Sequence, residues 1–278
     1  TLNNLGMVYL KKCDYQQASV HLRQSLGLAK RANDLTLRAV TTHNLGYISM
    51  KLGNFKEAVE YLHESLMVNR TRGNQHGEAH NLHRLGEVYR VQGYYSDALA
   101  SLSMAFSLQE GDIRGQGATL TELSSVHFGR EEYTEAIDCA LRALEFHSRS
   151  NDIAMTAETY TIMATLQIEL HHTADAIDYA RKSVELWEKS SDPRSTAQAL
   201  DVLGTALVRH GEPEHAIDSW WAELQILDGL TDARAEEVRR RIAATTRSAN
   251  KHNACGPPRQ GGRLSAYTED ISRSSYQD

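Results

Sequence analysis

Residues 85–102 read LGEVYRVQGYYSDALASL, and this stretch decides the fold. It holds a Leu85-Gly86-x-x-Tyr89 unit, a Gly93-Tyr94-Tyr95 turn signal and Ala98, thirteen residues after Leu85. The same chemistry returns in both directions. The leading apolar position recurs at Leu5, Leu45, Leu85, Leu123, Met163 and Leu203, in steps of 40, 40, 38, 40 and 40 residues. A glycine follows at Gly6, Gly46, Gly86 and Gly204, and the alanine recurs at Ala18, Ala58, Ala98, Ala136, Ala176 and Ala216. A second small residue stands seven positions later at Ser25, Ser65, Ala105, Ala143 and Ser183. Small residues at fixed points let two helices approach closely, while large ones between them fill the grooves.

Within each copy the apolar positions keep helical spacing, as in Ala58, Tyr61, Leu62, Ser65 and Leu66. Each copy therefore supplies two antiparallel helices. Turn signals divide them at Cys13-Asp14-Tyr15, Gly53-Asn54-Phe55, Gly93-Tyr94-Tyr95, Arg130-Glu131-Glu132 and Gly211-Glu212-Pro213. Between copies stand Asn33-Asp34, Gly73-Asn74, Gly111-Asp112, Asn151-Asp152 and Ser191-Asp192-Pro193. Glycine ends a helix in the left-handed conformation, Pro213 suits a first helical turn, and Asp or Asn caps the helix that follows. Composition agrees: hydrophobic residues are 41%, aromatics 7% and prolines 4 in 278, whereas a β-rich chain needs more aromatic and β-branched residues.

Residues 5–22, 45–62 and 85–102 resemble the tetratricopeptide repeat, Leu-Gly-x-x-Tyr followed by Ala-x-x-x-Phe, with Leu22, Leu62 and Leu102 in place of the Phe. A period of 40 rather than 34 reads as longer helices, as in the long-repeat branch of the family. The resemblance implies an all-α, right-handed α-solenoid of six helical hairpins over residues 1–230, with repeats at about 1–33, 34–73, 74–111, 112–151, 152–191 and 192–230. The linker Gly73-Asn74-Gln75-His76-Gly77-Glu78-Ala79 is similar to those of sensor arrays in actinobacterial antibiotic regulatory proteins and related signal-transducing ATPases. That likeness implies the regulatory or sensor part of a larger transcriptional or signalling protein. Thr1 aligns with Thr41, yet the first copy lacks a counterpart of Leu35–Val40 and there is no initiator methionine, so further sequence is expected ahead of it.

Residues 231–249 carry Arg239, Arg240, Arg241 and Arg247 beside Val238 and Ile242, the composition of a polar helix that closes a solenoid's exposed core. Residues 250–278, with Gly256-Pro257-Pro258 and Gly261-Gly262, bury too little apolar surface to offset chain entropy and are expected to be disordered. Tyr267 and Tyr276 are candidate recognition positions there.

A formal charge of -6 offers no basic face to a phosphate backbone, so direct nucleic-acid contact is not expected. Cys13, Cys139 and Cys255 are far apart and odd in number, which is not the pattern of a disulfide framework and fits a reducing cytoplasm. No apolar run approaches the roughly 20 residues of a membrane span. Gly111-Asp112-Ile113-Arg114-Gly115-Gln116-Gly117 lacks the lysine and preceding strand of a phosphate cradle and reads as the shortened connector behind the 38-residue step, expected to alter the local twist. Two histidines four apart can share a metal, and His76 and His80, with His83 and His43 near, have that spacing. No carboxylate or cysteine in that stretch completes a ligand set, so neither metal nor cofactor is expected, and a pH-sensitive groove is the stronger reading. Trp220-Trp221 reads as core packing. No nucleophile, base and acid fall together, so no enzyme is expected.

The inner surface of such an array is lined by the first helix of each pair. Counting two and one before each leading position, and two and five after it, selects Asn3, Asn4, Met7 and Leu10, then His43, Asn44, Tyr47 and Met50, then His83, Arg84, Glu87 and Arg90. The later copies give Thr121, Glu122, Ser125 and Phe128, then Thr161 and Thr165, then Asp201 and Thr205. Amide, imidazole and guanidinium donors beside Tyr47 suit an extended, carboxylate-bearing or acidic peptide, and an asparagine meets both donor and acceptor of a peptide backbone. Asn4, Asn44 and Arg84 are the expected anchors. The alternative is a scaffold that self-associates through Leu2, Leu5 and Tyr9 of the first copy.

Overall fold

The computed structural model describes the backbone of residues 2–255 and the side chains through residue 249. Thirteen helices lie among the described residues: α1 Leu2–Lys11, α2 Tyr15–Ala32, α3 Leu35–Lys51, α4 Phe55–Thr71, α5 Gln75–Val91, α6 Tyr95–Leu108, α7 Ile113–Gly129, α8 Tyr133–Ser150, α9 Ile153–Glu169, α10 Thr173–Ser190, α11 Pro193–His210, α12 Pro213–Gly229 and α13 Ala235–Cys255. Consecutive helices pack on one another throughout, giving six hairpins and a final helix. This is an all-α solenoid.

Every turn uses the same device. One residue adopts positive φ, at Cys13, Gly53, Gly93, Glu131, His171 and Gly211 inside the hairpins and at Asn33, Gly73, Gly111, Asn151, Ser191 and Thr231 after them. His171 carries no glycine or proline cue, and the sequence gives no sign of its turn. After the turns between hairpins the next helix is also capped: Asp34 accepts from the Leu37 amide at 2.9 Å, Asp112 from Gly115 at 2.9 Å and Asp152 from Met155 at 3.2 Å, whereas α4, α6, α8, α10 and α12 have no such side-chain cap. Such a cap is worth about 1 kcal/mol.

The Leu-Gly step has a direct packing cause. A Cβ added at Gly6 or Gly46 would stand 2.7 or 2.6 Å from the Cγ of Leu22 or Leu62, and one at Gly86 would be closer still to Leu102, all three leucines fully buried. Glycine on the first helix thus admits leucine from the second, and Ala18, Ala58 and Ala98 beside it are also buried. The two-residue deletion falls mainly on α6, which has 14 residues where α4 has 17; its missing last turn leaves Gln109 buried and bonded to Thr119 at 2.8 Å. The shortening therefore belongs to the helix end more than to the connector.

The odd-numbered helices form one layer: α3 touches α5, α5 touches α7, α7 touches α9 and α9 touches α11, while no pair of even-numbered helices packs comparably. The layer that crowds together is the inner side of a curved stack.

The last repeat is built differently. Gly204 faces Trp220, which is 4% exposed, while Trp221 is 51% exposed, so only half of the tryptophan pair is core. The chain then turns at Thr231, and α13 lays Ala235, Val238 and Ile242 onto Leu224 and Leu227. Arg239 pairs with Asp228 at 2.6 Å, and Arg241 pairs with Asp201 and lies 5.4 Å from the Trp220 ring. The closing helix starts at Ala235 rather than at residue 231 and continues to Cys255, past residue 250 where the tail was expected to begin. Residues 256–278, with Tyr267 and Tyr276, lie outside the described residues, as does Thr1.

Candidate functional site

The inner layer splits the expected groove residues into three groups. The position two before the leading residue points sideways into the seam with the next inner helix. Thr41 Oγ1 donates to Asn3 Oδ1 at 3.3 Å, His43 Nδ1 meets Asn81 Oδ1 at 3.0 Å, His83 Nδ1 meets Thr119 Oγ1 at 3.0 Å and Thr121 Oγ1 meets Thr159 Oγ1 at 3.0 Å. Asn3, His43, His83 and Thr121 thus lace α1 to α3, α3 to α5, α5 to α7 and α7 to α9. Thr121 is 1% exposed and also bonded to His147 Nε2 at 3.0 Å, so it is sealed between helices and leaves the list of ligand contacts.

The position five after the leading residue turns toward the core. Met50 is 7% exposed and packs with Leu62, Leu66 and Leu85, which removes it from the groove. Leu10 and Phe128 lean on core clusters in the same way. Arg90 is the exception, paired with Glu122 at 2.8 Å.

The remaining two positions face the groove. Asn4 is exposed, and Asn44 is half-buried with its Nδ2 3.1 Å from Met7 Sδ. Arg84 stacks 4.8 Å over the Tyr47 ring and bonds Glu87 at 2.5 Å; Lys51 approaches the same ring at 5.2 Å and Glu87 at 3.9 Å. A cation over an aromatic face contributes roughly 0.5–2 kcal/mol. Ser125 is half-buried and bonds back to the Thr121 carbonyl at 3.3 Å. Further along, Thr165 and Thr205 likewise bond to their own helices, at 2.9 and 3.0 Å.

Electrostatics set the character of the middle. Burial, reinforced by the Arg84 charge, pushes His43 and His83 down to about 4, so both imidazoles are neutral near physiological pH and neither titrates in the range a neutral-pH sensor needs. Glu87 is held below its usual value by Arg84 and Lys51 against the opposing cost of burial. Glu158 carries no hydrogen bond or ion pair among the described residues. Although the residue is exposed, the groove walls crowd its carboxyl, and with Glu122 and Glu87 they push it up to about 7. Sequence reading missed Glu158, which stands five before Met163; the helical period alone puts that position on the same face.

A second concavity of about 360 Å³ opens at the amino-terminal ends of α5 and α7, lined by His43, His76, His80, Gln109, Asp112 and Gly115 among others. The rings of His76 and His80 are 4.3 Å apart between centroids, and His43 is 6.3 Å from His80.

A tetratricopeptide repeat model matches residues 37–111 and 116–189, more than half of the chain. No curated protein matches the sequence significantly. Among solved structures the fold is similar to BtubC from P. vanneervenii, with TM-score 0.61, 16% identity and coverage of 91% of this chain and 98% of that one. It is similar to the apo quorum sensor NprR from B. thuringiensis, with TM-score 0.68, 13% identity and coverage of 87% and 68%. It is also similar to a signal transduction ATPase with a tetratricopeptide repeat sensor from Pyrococcus horikoshii, with TM-score 0.66 and 12% identity, where it covers 91% of this chain but 42% of that one. With the glycine-to-leucine lock between paired helices explaining the repeat and the family model spanning it, this chain belongs to the tetratricopeptide repeat family.

Proposed function

We propose that the chain is a non-catalytic docking module that holds an extended segment of another protein along its inner helix layer, as the regulatory or sensor part of a larger regulator. The observation that carries this reading is the open row made by Asn4, Asn44, Tyr47 and Arg84, whose polar atoms are exposed or half-buried while the seam and core positions beside them are closed. Two asparagine amides one repeat apart match the alternating donors and acceptors of an extended backbone. The similar array of NprR has been solved with its cognate peptide NprX, and that of the archaeal ATPase is a sensor, which supports the same use of this surface. Internal pairing refines the ligand. Lys51, Arg84 and Arg90 already face Glu87 and Glu122, so a uniformly acidic peptide would gain little and would meet the unpaired Glu158. A segment with a carboxylate near Arg84 and an amine near Glu158 fits better.

The test is capture of ligands from the source cell by the full chain, followed by titration of the mapped peptide against Asn44→Ala with Arg84→Ala. Loss of two hydrogen bonds, one of them charged, corresponds to an affinity drop of about 30-fold or more. Unchanged affinity would remove this groove from consideration. Leu5 and Val8 are 40% and 49% exposed on α1, which favours self-association as the second reading; a concentration-dependent rise in sedimentation coefficient without ligand would support it.

A further inference from the structure

We propose that His76, His80 and Asp112 form a binding site for a divalent transition-metal ion of the zinc class, at the mouth of the concavity between the starts of α5 and α7. The sequence shows no carboxylate or cysteine in that stretch that completes a ligand set, and Glu78 between the two histidines is paired with Arg70 at 2.7 Å; the fold supplies a carboxylate from the next repeat. One donor atom from each of the three residues lies within 4.8 Å of the other two. Two imidazoles one helical turn apart and a carboxylate are the donor types of an open zinc site, with the fourth position left for water or a ligand group.

Several features prepare the site. Asp112 uses Oδ1 to cap α7 through the Gly115 amide at 2.9 Å, which fixes the carboxyl and leaves Oδ2 for an ion. Gly115 itself matters here, since a Cβ at that position would stand within contact of Asp112 Oδ2 and block it. His76 and His80 are exposed, so an ion from solvent can reach their rings. Donors around a tetrahedral zinc sit about 3.3 Å apart given bonds of about 2.0 Å, so each ring needs to close by only about an ångström. The two cations near the concavity are already engaged, Arg84 with Glu87 at 2.5 Å and Arg114 with Asp152 at 3.1 Å, which limits repulsion of a dication. The early end of α6 places this concavity beside the shortened repeat, where Gln109 forms its far wall.

The experiment is calorimetric titration of the full chain with Zn²⁺, alongside the visible absorption of Co²⁺ as a probe of coordination. The expected result is one saturable site, with the d–d bands of a four-coordinate ion. Binding weakens at least 10-fold in His80→Ala and in Asp112→Asn, while His215→Ala, an exposed histidine elsewhere, behaves as wild type. An asparagine side chain still caps α7, so a loss in Asp112→Asn reports ligation and not unfolding. No saturable site, or an affinity unchanged in both variants because the ion sits on other histidines, overturns the proposal.

Discussion

The second and third repeats and the last repeat solve the same packing problem in two ways. In the second and third repeats Gly46 and Gly86 admit Leu62 and Leu102, and seven residues after the alanine stand Ser65 and Ala105, both fully buried. In the sixth, Gly204 admits Trp220, and the corresponding small residue is Glu223, 3% exposed. The fourth and fifth repeats place smaller pairs at the same points, Ser124 with Ala140 and Ala164 with Ala180, all fully buried, whereas the last repeat, covered by α13, builds its lock around a tryptophan and a carboxyl.

The largest expected effect breaks that terminal solution. Trp220→Ala should cost about 3–5 kcal/mol in urea denaturation and loosen α13, whereas a cost below about 1 kcal/mol would mean that the terminal lock is not structural. Leu62→Ala should cost about 2–5 kcal/mol, and hydrogen exchange should place its opening at the second repeat and its neighbours, since each repeat rests mainly on adjacent ones. Gly86→Ala tests the lock from its other side: overpacking against Leu102 should cost about 1–3 kcal/mol. A neutral result there would show that the helix pair spreads freely.

Glu223 sharpens the contrast through pH. Burial pushes its carboxyl up to about 7, with Asp201 adding to the rise and Arg241 and Arg234 opposing it; Glu237 is the other acid facing it. The folded chain therefore keeps a proton that the unfolded chain releases near about 4.3. Its contribution to stability is whole below that pH and is lost as pH climbs through about 7. Glu223→Gln should flatten this slope, making the variant relatively more stable at pH 8 than at pH 5; parallel pH profiles would contradict it. The smallest effect on stability belongs to the groove: Asn44→Ala should shift the melting temperature by no more than about a degree or two, as expected for a surface position.

The fold was legible because the lock needs specific residue sizes at specific spacings, and Gly6, Gly46, Gly86 and their alanines display them openly. The groove was only half legible. A helical period assigns Asn44 and His43 to nearly one face, yet adjacent side chains diverge by about 100° around a helix, and whether His43 meets solvent or the seam depends on where α5 lies. Met50 was misplaced for the same reason, since the next hairpin closes over it. Asp112 escaped as a ligand because His76 and His80 come from the preceding repeat, and their meeting exists only once the hairpins stack, whereas Glu158 was within reach of the helical period.

The side-chain lacing along the inner layer has a mechanical consequence. It joins α1, α3, α5, α7 and α9 in series and then stops: Thr161, next in line, turns outward to Ser183 at 2.6 Å, and Ala199 faces α9 with no polar group. A polar tie between α11 and α9 stands at the opposite end, where Arg209 donates to the Ile168 carbonyl at 3.2 Å. The fifth seam is closed by apolar packing instead, with Ala164 and Ile168 of α9 in one buried cluster with Ala197, Leu203 and Leu207 of α11, so the array changes from a stitched wall to a glued one as it nears α13.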